Sequence, residues 1–408
     1  MKDLQSPSRV LLYSHDTYGL GHLRRNLVIA RQLLGTARPP QVVLASGSPV
    51  IDQVPRPPGL VCVQLPPVVK TGEDEYRSLE PSLTISLVRR ARSAVLSDVV
   101  ARWKPNVLLV DHAPQGMKGE LLPIFDELPR ASPRTRVVLG LRDILDDPER
   151  VRSTWHADGV YDTLEQSYHR VLVYGERKLF DLGETYQIPE PVASRLEYCG
   201  YVTGDRAEQP TRPSGVPRNR DYVLGTVGGG GDGVEVLIAT VEVAARVGAL
   251  AVLCTGPLMS EADRRVLRSA VAARPGTIIM EHVEDVGAIA AGARCVVTRG
   301  GYNSLCELIH LGVPTVVVPR SWPRREQLLR ARGFAARGLV RLVEEDGPEL
   351  AVRLAEAVGQ AMAMPTEPPS HALDLSGRER VVDALQRVAR EDGSEVGLRF
   401  LDPVRIPA

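Results

Sequence analysis

The sequence predicts an α/β protein with two doubly wound parallel sheets, and three observations support this fold class. The chain has 408 residues, more than one hydrophobic core usually organises, so two domains are expected. Apolar residues make up 43% of the chain and aromatic residues only 4%, so aliphatic side chains must fill the interior, as buried parallel strands require. Short β-branched runs alternate with helical stretches, which is typical of successive βαβ units.

The alternation runs along the chain in two sets, separated by a polar stretch rich in Pro and Arg. The predicted strands lie at residues 10–13, 42–45, 60–65, 107–110, 137–141 and 171–174, then at 222–226, 250–254, 277–280, 295–298 and 315–318. The predicted organisation is an N-terminal domain at 1–203, a linker at 204–220, a C-terminal domain at 221–375, and a helix and tail at 376–408 whose helix could return to the N-terminal domain. Ligands of open α/β sheets bind beyond the carboxyl ends of the strands, so two such domains facing each other would place a cleft between them.

Charge and cysteine content exclude several classes of protein. The 50 basic residues balance 50 acidic ones, which leaves no broad positive field for nucleic acid. The five cysteines lack the CxxC spacing of zinc or redox sites, which fits a reducing cytosol. No apolar run approaches the roughly 20 residues that span a bilayer and no signal segment is evident, so we expect a cytoplasmic protein.

A helical run at 83–100 contains Arg89, Arg90 and Arg92 and could touch a membrane surface. An ordinary core-facing helix with a solvated basic side explains the same pattern. Membrane attachment is therefore not predicted.

The most informative motif follows the strand predicted at 295–298 and reads Arg-Gly-Gly-Tyr-Asn-Ser-Leu-Cys-Glu at 299–307. Gly300 and Gly301 let the backbone turn sharply, and a helix beginning near Asn303 would point its free N–H groups at a ligand. A diphosphate is the expected guest at such a helix start. The alternative is a strand–turn–helix junction whose glycines serve only packing.

Side chains of the same motif complete the predicted site. Arg299, Asn303 and Ser304 would add charge-assisted hydrogen bonds to the phosphates, because a helix dipole alone contributes only about 0.3–1 kcal/mol. Glu307 lies one turn later, where its carboxylate could accept hydrogen bonds from both hydroxyls of a ribose.

These residues resemble the donor signature of nucleotide-sugar glycosyltransferases of the GT-B type, as found in plant secondary-metabolite enzymes. Four features match that signature in identity and spacing: Asn303, Ser304, Glu307 and the Gly-Val-Pro at 312–314. Arg299 stands where that family has His, and Tyr302 stands where it has Trp. The segment is also similar to that of glycosyltransferase family 28, which includes the peptidoglycan N-acetylglucosaminyltransferase that makes lipid II. The resemblance implies the GT-B fold, a UDP-sugar co-substrate, phosphate contacts from the Asn and Ser, and a ribose contact from the Glu.

The resemblance assigns two further parts of the donor site. Glu326 and Gln327 would read hydroxyls of the donor sugar, since an acidic residue followed by Gln ends the signature. The gap between Pro319 and this pair is slightly longer than in the plant pattern. Uracil would stack near His282 and Val283.

A second glycine-rich loop at 225–233 follows the first strand of the C-terminal domain and formally contains GxGxxG. A dinucleotide site would also need an acidic residue at the end of the next strand, where the sequence has Cys-Thr-Gly at 254–256, so an NAD enzyme is disfavoured. The resemblance instead implies a second backbone cradle for the diphosphate, with a flexible connector as the alternative. Its predicted residues are Gly229, Gly230 and Gly231.

The N-terminal domain carries its own glycine motif behind the first strand, in which Gly19 and Gly21 precede His22. A neutral imidazole at such a helix start can act as a general base towards an acceptor hydroxyl. Both related families have a His in a Gly-rich loop at this place, so we predict that His22 is the catalytic base. His15 is the competitor, and local packing is the alternative role for either residue.

Strand ends supply the other candidates on the acceptor side. Asp111 follows the strand at 107–110 and could orient His22, although capping of the next helix is an equally good interpretation. Arg142 and Asp143 occupy a similar position and could contact the acceptor. No DxD triplet occurs, which argues against a metal-dependent transferase, so neither a metal nor a cofactor is expected.

The sequence thus predicts an inverting, metal-independent glycosyltransferase that moves a sugar from a UDP-sugar, such as UDP-N-acetylglucosamine, to a hydroxyl or amine. The acceptor would be a small molecule or lipid-linked. One alternative is a nucleotide-sugar hydrolase, because the GxGHxxR at 19–25 also resembles the hydrolases of nonulosonic acid biosynthesis. Two others are a non-hydrolysing UDP-sugar 2-epimerase of the same fold and a non-catalytic partner subunit that binds a nucleotide sugar.

Overall fold

A computed structural model describes residues 7–16, 21–70, 75–204, 213–217, 221–281, 283, 285–344, 349–364 and 373–391. The chain divides into two compact units. The N-terminal unit comprises Met1–Val202 with Ser376–Ala408, and the C-terminal unit comprises Thr203–Leu375. Each unit contains a parallel sheet connected by helices, so the predicted α/β class is confirmed. Most of the predicted linker, Gly19 and His282 lie outside the described residues.

The N-terminal unit is built on a seven-stranded parallel sheet. Its strands are β1 (Arg9–Ser14), β2 (Gln41–Ser46), β3 (Leu60–Gln64), β6 (Val107–Asp111), β7 (Arg136–Arg142), β8 (Arg170–Tyr174) and β9 (Leu196–Tyr198), while β4 (Val68–Lys70) and β5 (Tyr76–Ser78) form a separate antiparallel pair. The order across the sheet is β3-β2-β1-β6-β7-β8-β9, so the winding reverses between β1 and β6. At this switch point the strands end in register, with Ser14 opposite Asp111.

Helices connect these strands and cover the sheet with apolar side chains. They are α1 (Gly21–Leu34), α2 (Ile85–Trp103), α3 (Leu122–Ala131), α4 (Pro148–Ala157), α5 (Val160–Ser167), α6 (Leu182–Thr185) and α7 (Glu190–Ala193). Helix α1 buries Leu23, Leu27 and Ala30, whose spacing places them on one face of the helix.

The C-terminal unit is built on a six-stranded parallel sheet. Its strands are β10 (Tyr222–Thr226), β11 (Leu250–Cys254), β12 (Ile278–Met280), β13 (Cys295–Thr298), β14 (Thr315–Val317) and β15 (Arg341–Leu342), and its helices are α8 (Val234–Arg246), α9 (Glu261–Val271), α10 (Val286–Ala290), α11 (Tyr302–Leu311), α12 (Glu326–Ala336) and α13 (Leu350–Met362). The order is β12-β11-β10-β13-β14-β15, which puts the switch point between β10 and β13.

At each switch point, one strand or both are buried along the whole length. Strand β6 reads VLLVD and strand β13 reads CVVT, and every residue of both is buried. Such continuous apolar runs are typical of parallel strands covered on both faces. Polar side chains are therefore concentrated where the strands end.

The last described helix, α14 (Gly377–Arg390), belongs to the N-terminal unit and packs against α1. The Gly377 N–H donates a hydrogen bond to the Tyr201 carbonyl oxygen at 3.2 Å. A Cβ on Gly377 would lie 2.5 Å from the Tyr201 carbonyl carbon, so only glycine fits this close approach. Within the described part of the chain, no helix is long and apolar enough to cross a bilayer.

Candidate functional site

The first group of candidate residues lies at the switch point of the N-terminal sheet. His22 is the second residue of α1, and Asp111 is the last residue of β6. His22 Nδ1 lies 2.6 Å from Asp111 Oδ2. The structure therefore brings these two predicted residues together, and the Asp111 carboxylate faces α1 rather than capping the segment that follows it.

Arg25 belongs to the same cluster, although sequence reasoning assigned it no role. Its Nε donates to Asp111 Oδ1 at 3.0 Å, and its Nη2 donates to Asp111 Oδ2 at 2.7 Å. The guanidinium also lies over the Tyr174 ring, 5.4 Å from the ring centroid. Arg25 and Asp111 are 3% and 0% exposed, so this is a buried ion pair. The sequence feature that could have identified Arg25 is its position three residues after His22, which places both side chains on one face of α1.

The tautomer of a neutral His22 follows from its hydrogen-bond partner. Burial alone would raise the pKa of Asp111, but the Arg25 guanidinium and the His22 hydrogen bond outweigh it and hold this pKa well below its usual range. An ionised carboxylate can only accept, so the proton of a neutral His22 resides on Nδ1 and Nε2 carries the lone pair. Nε2 makes no hydrogen bond to any described residue, and the side chain is 17% exposed.

Two further histidines complete the cluster. The His15 and His112 ring centroids lie 4.6 Å and 5.1 Å from that of His22. Burial lowers the pKa of both well below the usual value, which keeps both rings neutral. Arg142 Nη2 lies 3.0 Å from His112 Nε2, so the structure adds Arg142 to this group. The Asp143 carboxylate instead accepts a hydrogen bond within its own loop.

Asp16 fixes the start of α1 and thereby the position of His22. Its Oδ1 accepts a hydrogen bond from the Leu23 N–H at 3.1 Å, and its Oδ2 accepts one from the Ser46 hydroxyl at 2.6 Å. Gly21, the first residue of the helix, is exposed. The Leu23 N–H in the first turn is thus bound by a buried carboxylate and is not available to a ligand.

Arg92 does not lie on a solvated basic face of its helix, as the sequence had indicated. Its side chain is fully buried, and its Nη2 donates to Glu120 Oε1 at 2.8 Å and to the His15 carbonyl oxygen at 3.0 Å. Tyr13 donates a further hydrogen bond to Glu120. The prediction was wrong because the carboxylate that compensates Arg92 lies 28 residues later, beyond the reach of helical periodicity.

The second group of candidates lies at the switch point of the C-terminal sheet, where two glycine turns follow β10 and β13. Gly300 adopts a φ of 79° before α11, and Gly301 occupies the N-cap without any side-chain cap. The first N–H groups of α11 therefore depend on other partners, as an anion site requires. In the loop after β10, a Cβ on Gly230 would lie 2.1 Å from the Thr255 carbonyl oxygen, and its φ is 85°. Gly229 and Gly231 are exposed on either side of it.

The side chains predicted to contact the nucleotide lie on α11. Asn303 and Ser304 belong to its first turn and are half-buried, and Glu307 is exposed one turn later. The Glu307 carboxylate lies over the start of α10, because a Cβ on Gly287 would come within 2.2 Å of Glu307 Oε1. Sequence reasoning missed Gly287, which no motif marks.

Arg299 forms its contacts within the C-terminal unit, and its predicted contact with the phosphates stays a prediction. Its side chain is 7% exposed and forms an ion pair with Glu235 of α8. Its Nη1 donates to the Val318 carbonyl oxygen at 3.3 Å. The guanidinium therefore ties α8 to the ends of β13 and β14 beneath the glycine turns.

Glu326 and Gln327 begin α12, and both hold Arg320. Glu326 is 6% exposed, and its Oε1 accepts from Arg320 Nη2 at 3.1 Å. Gln327 Oε1 accepts from the Arg320 backbone N–H at 3.1 Å. Arg320 Nη1 in turn lies 3.4 Å from Asp232 Oδ2 in the glycine loop after β10. Val283 packs against the apolar core of the unit. Contacts of these residues with sugar or uracil stay predictions.

Solved structures with the same architecture cover nearly the whole chain. The glycotransferase of kitacinnamycin has a TM-score of 0.58 and 18% identity, over 94% of this chain and 95% of that one. MurG of Acinetobacter baumannii has a TM-score of 0.54 and 14% identity, over 93% and 100%. A putative UDP-N-acetylglucosamine 2-epimerase from Listeria monocytogenes has a TM-score of 0.65 and 12% identity, over 95% and 99%. The fold is therefore of the GT-B class, as predicted.

Sequence similarity to a known family lies in the C-terminal half. Residues 226–388 match the glycosyltransferase family 28 C-terminal domain. Over 169 residues the chain is 30% identical to UDP-N-acetylglucosamine--N-acetylmuramyl-(pentapeptide) pyrophosphoryl-undecaprenol N-acetylglucosamine transferase of Klebsiella pneumoniae, which is 40% of this chain and 45% of that protein. Its counterpart from Corynebacterium efficiens is 34% identical over 73 residues, 18% and 20% of the two chains. The chain thus spans less than half the length of these relatives. Its C-terminal half is family 28-like, and the predicted resemblance is confirmed.

Proposed function

We propose that this protein transfers a sugar from a UDP-sugar to an acceptor, with the donor bound by the C-terminal unit. The single observation that carries the proposal is the pair of glycine turns at the β10–β13 switch point, beside an α11 start with no side-chain cap. Glycine turns beside a helix start suit a diphosphate, because backbone N–H groups and the helix dipole both favour an anion. Glu307, one turn along α11, would accept hydrogen bonds from the ribose hydroxyls. The relatives are named as UDP-N-acetylglucosamine-dependent transferases, which supports that donor.

His22 would serve as the general base. Its Nε2 takes the proton of the acceptor hydroxyl while that oxygen attacks the anomeric carbon, and the bond from this carbon to the diphosphate breaks. UDP leaves with the bonding electrons. Asp111 stabilises the imidazolium that forms, because its ionised carboxylate lies 2.6 Å from Nδ1. General-base catalysis of this kind contributes about a hundredfold to ten-thousandfold.

A single displacement of this kind inverts the configuration at the anomeric carbon. Charge on the departing diphosphate would be met by the backbone N–H groups at the start of α11 and in the loop after β10. We therefore propose an inverting reaction without a metal. Unchanged turnover after EDTA treatment supports metal independence, and recovery of activity only on adding Mg²⁺ contradicts it.

A lipid-linked acceptor is supported by the surface around the start of α2. Leu79, Leu83 and Leu87 are 44%, 38% and 44% exposed, and Arg89 and Arg90 are exposed beside them. Apolar side chains flanked by cations suit an anionic lipid surface. A small soluble acceptor is the other outcome that the assay below distinguishes.

The decisive assay incubates the protein with a panel of nucleotide sugars and follows UDP release by chromatography. Three arms are compared: donor alone, donor with a soluble metabolite extract, and donor with a membrane lipid extract. UDP release that requires one of the extracts supports transfer and identifies the acceptor class. Absence of turnover in every arm, with tight UDP binding retained, would instead indicate a non-catalytic nucleotide-sugar-binding subunit.

A hydrolase of the same donor is the second candidate, favoured by the His22–Arg25 spacing within the 19–25 motif. In that reaction water takes the place of the acceptor. Free sugar released from donor alone would identify it. A 2-epimerase, the activity named for the Listeria neighbour, would convert the donor to its epimer without accumulating UDP.

A further inference from the structure

Arg25 contacts both members of the proposed His22–Asp111 pair, yet Arg25 has no role in the proposed transfer reaction. Its Nη2 lies 2.7 Å from Asp111 Oδ2 and 3.0 Å from His22 Nδ1, so the guanidinium and the imidazole share one carboxylate oxygen. All three groups lie at the switch point of one sheet. The shared oxygen means that the charge on Arg25 acts directly on the protonation of His22.

A guanidinium is always charged and can only donate hydrogen bonds. The charge of Arg25 offsets part of that of Asp111, so the carboxylate accepts a hydrogen bond from His22 Nδ1 but favours the imidazolium less than an unpaired carboxylate would. The same positive charge opposes a second proton on the imidazole. Since an imidazolium cannot accept a proton, this electrostatic balance decides what fraction of the enzyme has a working base at a given pH.

We infer that Arg25 is a positioning residue that keeps His22 neutral, with its proton on Nδ1 and its Nε2 lone pair available to the acceptor. This inference rests on the proposed role of His22 as the base. Arg25 need not touch the substrate, because its Nε and Nη2 donate to Asp111 and its guanidinium lies over the Tyr174 ring.

Other charged or titratable groups around His22 leave this balance to Arg25 and Asp111. Among the described residues, the groups that face the cluster are His15 and Asp16 after β1, Arg25 of α1, Asp111 and His112 at the end of β6, Arg142 of β7 and Tyr174 of β8. The Asp16 carboxylate accepts hydrogen bonds from the Leu23 N–H and the Ser46 hydroxyl. His15 and His112 are buried and neutral. Arg142 acts one residue further away, through His112 Nε2.

Loss of the guanidinium leaves His22 as the charge partner of Asp111 among the residues that the structure describes. The imidazolium therefore becomes the favoured state. The Arg25→Gln variant should therefore lose turnover at neutral pH and recover it at alkaline pH. We expect the acid limb of its kcat/KM profile to move up by about one pH unit or more, which is about a tenfold loss on that limb. Arg25→Lys keeps the charge and should leave the limb near its original position, with a lower plateau because the two-pronged hydrogen bond is lost.

The test measures pH profiles for the wild type, Arg25→Gln, Arg25→Lys and a matched control, Arg24→Gln. Arg24 is the exposed neighbour on the same helix, and its replacement should leave the profile unchanged. A uniform loss at all pH values in Arg25→Gln, with an unmoved acid limb, would show a merely structural role and overturn the inference.

A second readout does not depend on turnover. Nitrogen-15 NMR of the imidazole side chains, with His22→Ala to assign the resonance, reports the charge and tautomer of His22 in the full-length protein. The inference predicts a neutral Nδ1–H imidazole at pH 7 in the wild type and imidazolium in Arg25→Gln. Imidazolium in the wild type would overturn it even if the variants fail to fold. If His22→Ala retains full turnover while NMR shows the predicted states, the proposed base is wrong and the effect of Arg25 stands.

Discussion

The two units have the same strand order around their switch points, but the residues at the two switch points differ in kind. In the N-terminal unit, the ends of β1 and β6 gather buried ionisable side chains, namely His22, Asp111 and Arg25. In the C-terminal unit, the ends of β10 and β13 carry glycine turns and a helix start without a side-chain cap. The comparison shows that topology decides where a ligand can bind, while the residues at that position decide what chemistry is possible.

The difference extends to how each helix start is satisfied. Asp16 occupies the N–H of Leu23 in α1, so that helix presents a side chain, His22, rather than its dipole. Helix α11 has glycine at the N-cap, so no side chain caps its first turn. In the proposed function, one unit moves a proton and the other binds an anion. Substitutions at the two switch points should accordingly affect different quantities.

The largest expected effect is that of His22→Ala, which removes the proposed base. Turnover should fall by about a hundredfold to ten-thousandfold, while UDP affinity stays unchanged because the donor contacts lie in the other unit. Steady-state kinetics and calorimetry with UDP measure the two quantities. His156→Ala, which replaces an exposed histidine on α4, is the matched control. Full turnover in His22→Ala would exclude His22 as the base.

Asp111→Asn should reduce both stability and turnover. Removing the carboxylate leaves the buried Arg25 charge uncompensated, which costs about 3–5 kcal/mol in the free energy of unfolding. Because the pKa of Asp111 is lower in the folded chain than in the unfolded one, ionised Asp111 stabilises the fold above the ordinary Asp value of about 3.9. This stabilisation is lost as the pH falls below that value. Urea unfolding at pH 7 and at pH 3 measures it: the wild type should lose stability on acidification more steeply than Asp111→Asn, and equal losses would contradict the assignment.

Glu307→Ala tests the other side of the comparison. It should weaken UDP binding by about tenfold to a hundredfold, since two hydrogen bonds to a charged carboxylate are lost. Unfolding should change little, because Glu307 is exposed. Glu356→Ala on α13 is the matched control, and calorimetry with UDP is the measurement. Equal affinity in the Glu307 and Glu356 variants would remove the ribose assignment.

Gly287→Ala is a subtler test of the same carboxylate. The added Cβ would meet Glu307 Oε1, which must then move, while the backbone of Gly287 needs no positive φ. We expect UDP affinity to fall by a few fold without a change in the melting temperature. Gly359→Ala, where an added Cβ meets nothing within 4 Å, is the control. A loss of stability equal to the loss of affinity would show that the clash lies in the backbone rather than at Glu307.

The sequence predicted the features that lie at strand ends. It did not predict the partners of buried charges, because those partners are distant in the sequence. His22 and Asp111 could be paired in advance because the carboxyl ends of adjacent parallel strands meet at one edge of a sheet. Arg299 and Arg92 could not, because their partners Glu235 and Glu120 lie 64 and 28 residues away and share no motif with them. Local pattern reports which side of a helix is apolar, but it does not report which buried charge finds a compensating one.

Backbone amide NMR on the C-terminal switch point tests the central claim most directly. Titration with UDP should shift the amide resonances of residues 228–233 and 301–304, because the proposed cradle is made of backbone N–H groups at those positions. The wild-type protein and saturating UDP suffice for this measurement. Saturable UDP binding that leaves both segments unshifted would contradict the account.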